Sequence, residues 1–200
     1  RLIVLEGVDG SGKSTQARLL VEALRSAGRE VLLTREPGGT PLGERLRALI
    51  LDPAVDCAPR AELLMILAVR AQHVAEIIAP ALSAGIDVVC DRFSLSSLAY
   101  QGYGRGLPLA EIRAADAAAT GGTIPDLTVL LDVPLETVLA RVGERTDRFE
   151  GEGPAFLQRV IDGYRALAVA EATVHCLDGT QPLEAVHQAL CALLATPEGD

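Results

Sequence analysis

The stretch Gly7-Val8-Asp9-Gly10-Ser11-Gly12-Lys13-Ser14 decides the fold, because it matches the phosphate-binding pattern G-x-x-x-x-G-K-[ST]. The apolar run 2–5 before it predicts a strand buried on both faces, and apolar residues at helical spacing predict a helix over 15–27 after it. Strand, glycine-rich turn and helix is the setting that this motif requires, since backbone N–H groups and a helix N-terminus together hold phosphate. A plain glycine-rich turn with a surface lysine is the alternative.

Lys13 is the only lysine in the chain, and every other fixed cation is an arginine. A compact ammonium fits between phosphate oxygens where a planar guanidinium fits poorly, which favours a functional motif. The absence of a second lysine also excludes several classes of protein. GTPases need the lysine of N-K-x-D, ATPases with a deviant loop need an additional lysine, and protein kinases need one on a V-A-I-K strand. A small kinase or a module that only holds nucleotide remains.

The composition is that of one globular domain over residues 1–200, with 49% hydrophobic and 22% charged residues. The formal net charge of −9 argues against nucleic acid and membrane surfaces as partners, since both attract basic faces. The sequence has no signal-peptide pattern and no apolar run of about 18 residues. Four cysteines without a C-x-x-C pair predict reduced thiols and a cytoplasmic location.

Apolar runs typical of strands alternate with helical patterns along the chain. Further strands are predicted at 31–33, 86–90, 127–131 and 173–177. Further helices are predicted at 43–51, 59–83, 108–119, 134–143, 154–172 and 182–195. This order predicts an α/β protein with a five-stranded parallel sheet and helices on both faces, and the phosphate loop indicates the P-loop NTPase class.

Polar residues follow several of the predicted strands, and parallel strands bring such ends to one ligand-binding edge. The second strand is followed by Arg35 and Glu36, and the third by Asp91 and Arg92. An acid that closes an apolar strand helps to hold Mg²⁺ in P-loop enzymes, usually with the hydroxyl of the motif, here Ser14. An N-cap for the following segment is the other explanation of Asp91.

Two charged residues stand at unusual positions. Asp9 lies at a variable position of the phosphate loop, where a carboxylate is unfavourable unless it binds a sugar hydroxyl, helps to place a metal or stabilises its own turn. Arg70 lies on the apolar stripe of the predicted helix 59–83, one turn after Ile66. An arginine at such a position either extends to solvent or meets a buried acceptor or a ligand.

The segment 143–153 is the least regular interior stretch, and we expect it to form a lid over bound phosphates. Arg141, Arg145 and Arg148 lie in it or beside it and can offset the charge that develops during phosphoryl transfer. The alternative is a solvated loop whose arginines pair with neighbouring acidic residues.

These motifs together resemble the thymidylate kinase family over essentially the whole chain. Besides the phosphate loop, the resemblance rests on the segments 34–40, 46–47, 61–70, 91–93, 96–106, 125–128 and 131–133. It implies transfer of a phosphoryl group from ATP to dTMP with Mg²⁺, and it implies a homodimer. A related P-loop kinase that acts on another nucleoside or nucleoside monophosphate is the alternative.

The resemblance also implies roles for individual residues. ATP would be held by the loop residues Gly7, Val8, Asp9, Gly10, Ser11, Gly12, Lys13, Ser14 and Thr15 together with Arg141, and Mg²⁺ by Ser14 and Asp91. The nucleotide dTMP would be held by Asp9, Arg35, Glu36, Arg47, Ile66, Arg70, Arg92, Ser97 and Gln101. The catalytic residues would be Lys13, Asp9, Arg92, Arg145 and Arg148.

Two residues depart from the pattern of the family. Ile66 stands where members commonly place a phenylalanine that stacks on thymine, and stacking of a base on an aromatic ring is worth about 1–3 kcal/mol. Phe93 replaces the usual tyrosine or histidine and removes a hydrogen-bonding group near the phosphate site. The first departure predicts weaker binding of thymine.

Overall fold

The computed structural model describes residues 1–141 and 148–195. Its centre is a sheet of five parallel strands in the order β2-β3-β1-β4-β5. The strands are β1 Leu2–Glu6, β2 Val31–Arg35, β3 Asp87–Asp91, β4 Leu127–Asp132 and β5 Val174–Asp178. Every residue of β1 is buried, as expected for the central strand of a parallel sheet. The predicted five-stranded parallel sheet is confirmed.

Helices connect and flank these strands. They are α1 Lys13–Ser26, α2 Pro41–Leu51, α3 Pro59–His73, α4 Ala79–Ser83, α5 Ser94–Ser97, α6 Leu109–Thr120, α7 Leu135–Arg141, α8 Pro154–Ala170 and α9 Leu183–Ala195. Prolines open α2, α3 and α8, at positions where a missing backbone N–H breaks no helical hydrogen bond. Thr40 caps α2, since its hydroxyl accepts a hydrogen bond from the backbone N–H of Gly43 (2.9 Å).

Two helical layers cover the two faces of the sheet. On one face, α1 and α9 pack through Leu20 and Leu190 into a cluster that contains Ile3 of β1. On the other face, the helical run from α3 to α4 packs through Ile78 into a cluster that contains Val4. Successive residues of a strand point to opposite faces, so β1 lies between two apolar cores.

The helix predicted over 59–83 is present, but it is not uniform. α3 continues through a π-helical segment, Val74–Ile78, into α4. The wider turn leaves Pro80 in the first turn of α4, where its missing N–H is tolerated. By length and composition alone this run could cross a membrane, but Leu67 and Ile78 are buried in the core of the domain. Such packing is typical of a core helix.

One helical segment is missing from the sequence-based prediction. α5 runs directly into a π-helical segment, Leu98–Gly104, whose glycines suggest a loop. A Cβ at Gly102 would collide with a methyl carbon of Leu109, and a Cβ at Gly104 would lie 2.7 Å from the ring of Phe156. The two glycines therefore allow close packing and do not mark a turn.

The register of the strands brings the polar residues to one edge. Leu5 pairs with Asp91, and Asp91 pairs in turn with Arg35. The carboxyl ends of β1, β2 and β3 consequently lie side by side, and the phosphate loop leaves the sheet directly after Glu6. This edge is the ligand-binding crevice expected of an open parallel sheet.

Candidate active site

The phosphate loop joins β1 to α1, whose first residue is Lys13. Gly7, Gly10 and Gly12 have φ angles of 137°, 78° and 99°, a backbone conformation that residues with a Cβ rarely adopt. Lys13 is only 4% exposed, and its Nζ donates a hydrogen bond to the carbonyl oxygen of Val8 (2.8 Å). The ammonium is therefore held against the loop that we expect to receive phosphate.

The environment of Lys13 makes its charge costly in the ligand-free protein. Burial is the main cause that lowers its pKa, and the positive charge of Arg92 lowers it further. Asp9 and Asp91 act in the opposite direction, and the resulting pKa is about 8. An anion bound beside this ammonium would restore an ordinary charged lysine, so the site is prepared for phosphate.

Ser14 and Asp91 form the expected metal-type pair. Ser14 Oγ donates a hydrogen bond to Asp91 Oδ2 (2.5 Å). Among the described residues, no cluster of three or more His, Cys, Asp or Glu side chains could hold a metal by itself. Mg²⁺ usually takes one or two carboxylates together with water and the phosphates of a substrate, so this donor set fits magnesium.

Arg92 is the most highly connected cation of the crevice. It donates to Asp9 Oδ1 (2.8 Å), to the carbonyl oxygen of Gly7 (2.7 Å) and to the hydroxyl of Tyr164 (3.1 Å). Its guanidinium carbon also lies 5.1 Å from the ring centre of Tyr100. With φ at 75°, Arg92 is the one non-glycine residue in 1–141 and 148–195 that has a left-handed backbone. Such strain persists only where the surroundings hold it, and it is common at functional sites.

The carboxylate of Asp9 stays ionised. Desolvation alone would raise its pKa, but the charges of Arg92 and Lys13 outweigh this and hold the pKa well below its usual range. The side chain remains 47% exposed on the cavity side. Asp9 can therefore accept a hydrogen bond from a ligand but has no proton to donate.

A buried carboxylate next to Arg92 was missed from the sequence. Glu6 is fully buried and accepts hydrogen bonds from the backbone N–H of Phe93 (2.8 Å) and from the hydroxyl of Tyr164 (3.0 Å). Burial raises its pKa. Arg92 donates to the same Tyr164 hydroxyl and to that of Ser96 (3.3 Å), so two hydroxyls join the carboxylate to the guanidinium. An acid that closes a wholly buried strand was the available signal.

Arg70 meets buried acceptors and does not extend to solvent. Its guanidinium donates to Glu36 Oε2 (2.7 Å), Asp116 Oδ1 (2.5 Å), Ser97 Oγ (3.0 Å) and the carbonyl oxygen of Phe93 (2.9 Å). The side chain is 1% exposed. Burial would lower its pKa, but the two carboxylates outweigh that effect and raise the pKa above its ordinary value. The residue is fixed in one orientation at the wall of the cavity.

Two further residues predicted to contact dTMP are engaged within the protein. Glu36 is 3% exposed and is shared between Arg70 and His73, whose Nδ1 lies 3.0 Å from Glu36 Oε1. Gln101 donates through its amide nitrogen to the buried Glu62 (2.8 Å). Both line the cavity, but these contacts leave Glu36 with a positioning role for Arg70.

Arg35 and Arg47 converge at the rim of the same cavity. Arg35 forms a half-exposed ion pair with Glu44 (2.9 Å), and both arginines donate to the carbonyl oxygen of Pro37. Burial, together with the positive charge of Arg35, lowers the pKa of Arg47. Two cations that repel each other beside Arg92 form a receptor for a second anionic group.

One cavity collects most of the predicted site residues. Twelve of them line it, namely Asp9, Lys13, Ser14, Arg35, Glu36, Arg47, Ile66, Arg70, Asp91, Arg92, Ser97 and Gln101. The lining also includes residues outside the predicted site, namely Pro37, Leu51, Ser96, Tyr100 and Phe149. The loop lysine, the metal-type pair and the second group of cations therefore open onto a single space.

Four of the remaining loop residues, together with Arg141, border a second cavity. Its lining includes the predicted residues Gly10, Ser11, Gly12, Thr15 and Arg141. Arg141 donates to the carbonyl oxygens of Gly10 (3.2 Å) and Gly179 (3.0 Å), and Gln181 completes one wall. Gly7 and Val8 contribute backbone carbonyls to Arg92 and Lys13 and line neither cavity.

Of the two arginines predicted within the lid, the structure describes only Arg148. Arg145, with the first part of the predicted lid 143–153, lies outside the described residues. Arg148 forms an ion pair with the buried Glu62 (2.7 Å) and donates to the carbonyl oxygen of Ile50 (2.8 Å). A fully buried carboxylate requires a cation, and both Arg148 and Arg105 (3.0 Å) form ion pairs with Glu62. In this structure Arg148 therefore contacts Glu62 and Ile50, and its catalytic role stays a prediction.

The fold and the crevice define a P-loop kinase of the nucleoside monophosphate type. The family model of thymidylate kinase matches residues 5–190. Thymidylate kinase of Pseudomonas fluorescens strain SBW25 is 51% identical, and the match covers 97% of this chain and 94% of the relative. That of Synechococcus sp. strain WH7803 is 52% identical over 95% and 92% of the two chains. The crystal structure of thymidylate kinase from Ehrlichia chaffeensis has a TM-score of 0.80 and 34% identity, covering 96% of this chain and 97% of that one. The chain belongs to the thymidylate kinase family.

Proposed function

We propose that this protein transfers the γ-phosphate of ATP to dTMP, giving dTDP. One observation carries the proposal: a single cavity joins Lys13 of the phosphate loop to the separate cations Arg35, Arg47 and Arg92. A kinase must hold an anionic group from each of two substrates side by side, whereas a module that only holds ATP has no use for the second group of cations. Membership of the thymidylate kinase family supports dTMP as the acceptor.

On the acceptor side, Arg92 binds the phosphate of dTMP and Arg70 faces the polar edge of thymine. Ser97 and Gln101 complete the base site, and Ile66 packs against the face of the base. The rigid set of hydrogen bonds around Arg70 supports this assignment, because a fixed guanidinium discriminates between bases better than a mobile one. This fixed arrangement supports a base-selecting role for Arg70.

On the donor side, Lys13 and the N–H groups of the loop hold the phosphates of ATP. Ser14 and Asp91 would hold Mg²⁺, which would supply positive charge to the phosphate oxygens. Arg141 and Gln181 border the nucleoside of ATP in the second cavity.

Phosphoryl transfer requires little covalent chemistry from the protein. A phosphate oxygen of dTMP attacks the γ-phosphorus in line, the bond from the γ-phosphorus to the β,γ-bridging oxygen breaks, and ADP leaves, while Lys13 and Arg92 offset the developing charge. Asp9 accepts a hydrogen bond from the deoxyribose hydroxyl and keeps Arg92 in place. A lid over 143–153, with catalytic roles for Arg145 and Arg148, stays a prediction.

We also propose a cytoplasmic homodimer without nucleic-acid or membrane partners. Leu42, Leu49 and Leu64 on the packed pair α2 and α3 are 46%, 49% and 62% exposed, which supports a protein interface on these helices. Sedimentation of the purified chain measures the oligomeric state directly.

The proposed function is tested by ATP consumption with a panel of nucleosides and nucleoside monophosphates. We expect ADP to form in the presence of dTMP and Mg²⁺. Turnover only with another acceptor would indicate a related kinase, and no turnover with any acceptor would indicate a binding module.

Binding of ATP above pH 8 is expected to be accompanied by uptake of a proton by Lys13. Because its pKa is about 8, much of Lys13 is a neutral amine above pH 8 in the free protein, and bound phosphate raises that pKa. Below pH 7 the ammonium is already protonated, so its contribution disappears. Calorimetry in two buffers with different heats of ionisation measures the uptake. Lys13→Arg is the matched control, since its guanidinium stays charged and takes up no proton; uptake that persists in it would contradict the assignment.

A further inference from the structure

The base end of the cavity contains an aromatic side chain that the sequence did not single out. Ile66 offers only aliphatic contact there, yet Phe149 lines the same cavity. The two residues also share an apolar cluster, in which Phe149 packs with Ile50, Ile66 and Val69. Phe149 is half-buried and contributes to the lining of this cavity.

The ring of Phe149 is held from several directions. It meets the ring of Tyr100 edge to face, with centres 5.6 Å apart and planes at 85°. The guanidinium carbons of Arg148 and Arg105 lie 4.9 Å and 5.8 Å from its centre. Aromatic and cation–π contacts of this kind favour one orientation of a ring. Phe149 therefore has a defined position at the edge of the base site.

Arg148, the residue before Phe149, is held by contacts of its side chain and of its backbone. Its side chain is tied to Glu62 (2.7 Å), and its backbone N–H donates to the carbonyl oxygen of Leu51 (3.0 Å). Glu62 also accepts a hydrogen bond from the side-chain amide of Gln101 (2.8 Å), a residue of the proposed base site. One buried carboxylate thus orients both Gln101 and the residue preceding Phe149.

We propose that Phe149 supplies the aromatic surface against which thymine packs, in place of an aromatic side chain at position 66. The inference rests on the proposed function, since it names a further substrate-binding residue of that site. Every base has a π-face, so Phe149 provides affinity while Arg70, Ser97 and Gln101 select the base. Arg148 acts as a positioning residue for the ring.

The first test is Phe149→Leu, which keeps an apolar side chain and removes the ring. The KM for dTMP is expected to rise roughly 5- to 20-fold, given the usual strength of base stacking. The KM for ATP should change less than about twofold, because Phe149 does not border the second cavity. Phe156→Leu is the matched control, since Phe156 is 3% exposed in the core and lines neither cavity. An unchanged KM for dTMP in Phe149→Leu would overturn the inference.

The second test uses the absence of tryptophan from the chain. Phe149→Trp introduces a single tryptophan, which can be excited selectively over the tyrosines; its emission should be quenched by dTMP but not by deoxyribose 5-phosphate, which lacks the base. Val169→Trp is the control, because Val169 is 90% exposed on α8 and should give no response to either compound. If the emission of the Phe149→Trp variant responds equally to both compounds, or does not respond to dTMP, contact with the base is contradicted.

The third test separates Phe149 from the neighbouring position. In a chain that carries Ile66→Phe, a second aromatic ring is available, so Phe149→Leu should raise the KM for dTMP less than it does in the parent chain. Equal effects in both chains would show that the two positions do not serve the same base. If the proposed function itself is wrong, the unmodified chain forms no ADP with dTMP. That result differs from every outcome above, since those outcomes compare variants of an active enzyme.

Discussion

Replacing Lys13 with alanine is expected to lower kcat for dTDP formation by roughly 10²–10³-fold, as removal of one preorganised charge at a developing oxyanion commonly does. Lys13 is buried, and its ammonium lies against the loop and close to the acids Asp9 and Asp91 of the crevice. No other lysine is present in the chain to replace it. The measurement is steady-state turnover with both substrates saturating.

Two variants make this prediction specific. Lys13→Arg keeps the charge but brings a planar fork into a space shaped for an ammonium, so a loss of similar order is expected. Arg18→Ala removes an exposed cation from the same helix and should leave kcat unchanged. Turnover near that of the parent chain in either Lys13 variant would refute the role given to this residue.

Replacing Arg70 with methionine is expected to destabilise the fold by about 3–5 kcal/mol, because a buried ion pair loses one partner. Glu36 and Asp116 would then keep their negative charges, 1% and 16% exposed, without the guanidinium that satisfies them. For a domain of this size, we expect the Tm to fall by roughly 6–20 °C. Thermal unfolding followed by circular dichroism measures the change.

The surface pair Arg113–Glu171 (2.7 Å) is the matched control for Arg70. Arg113 is 49% exposed, so Arg113→Met should cost at most about 1 kcal/mol. A destabilisation by Arg70→Met no larger than that of Arg113→Met would show that the buried network contributes little. In that case the carboxylates must become protonated or reach water when Arg70 is absent.

Much of the fold could be predicted from the sequence because its signals are local. The phosphate loop, the buried run of β1 and the alternation of apolar strands with helices each depend on neighbouring residues. Parallel topology then places Asp91 beside Arg35, since strands that end at one edge bring their following residues together. The lining of the main cavity by Lys13, Asp91 and Arg92 follows from these rules alone.

The remainder of the site depends on contacts between distant parts of the chain. Glu6 and Tyr164 meet across 158 positions, and nothing in either neighbourhood indicates the partner. Arg148 was expected at the phosphates because a cation in an irregular segment suggests a lid. The position of Arg148 depends on the burial of Glu62, and that burial can be known only from the packing of α3 in the folded domain. Phe149 was overlooked for the same reason.

The left-handed backbone at Arg92 places a residue needed for activity at a position that lowers the stability of the fold. A residue with φ at 75° contributes less to folding than a glycine or asparagine that adopts this conformation readily. The side chain at 92 is nevertheless an arginine that contacts Asp9 and Gly7. Replacement of Arg92 by glycine would relieve the backbone but would leave Asp9 and the hydroxyls beside the buried Glu6 without their cation. Thermostable variants selected without a demand for turnover should therefore be checked at position 92, together with a compensating change at Glu6 or Asp9.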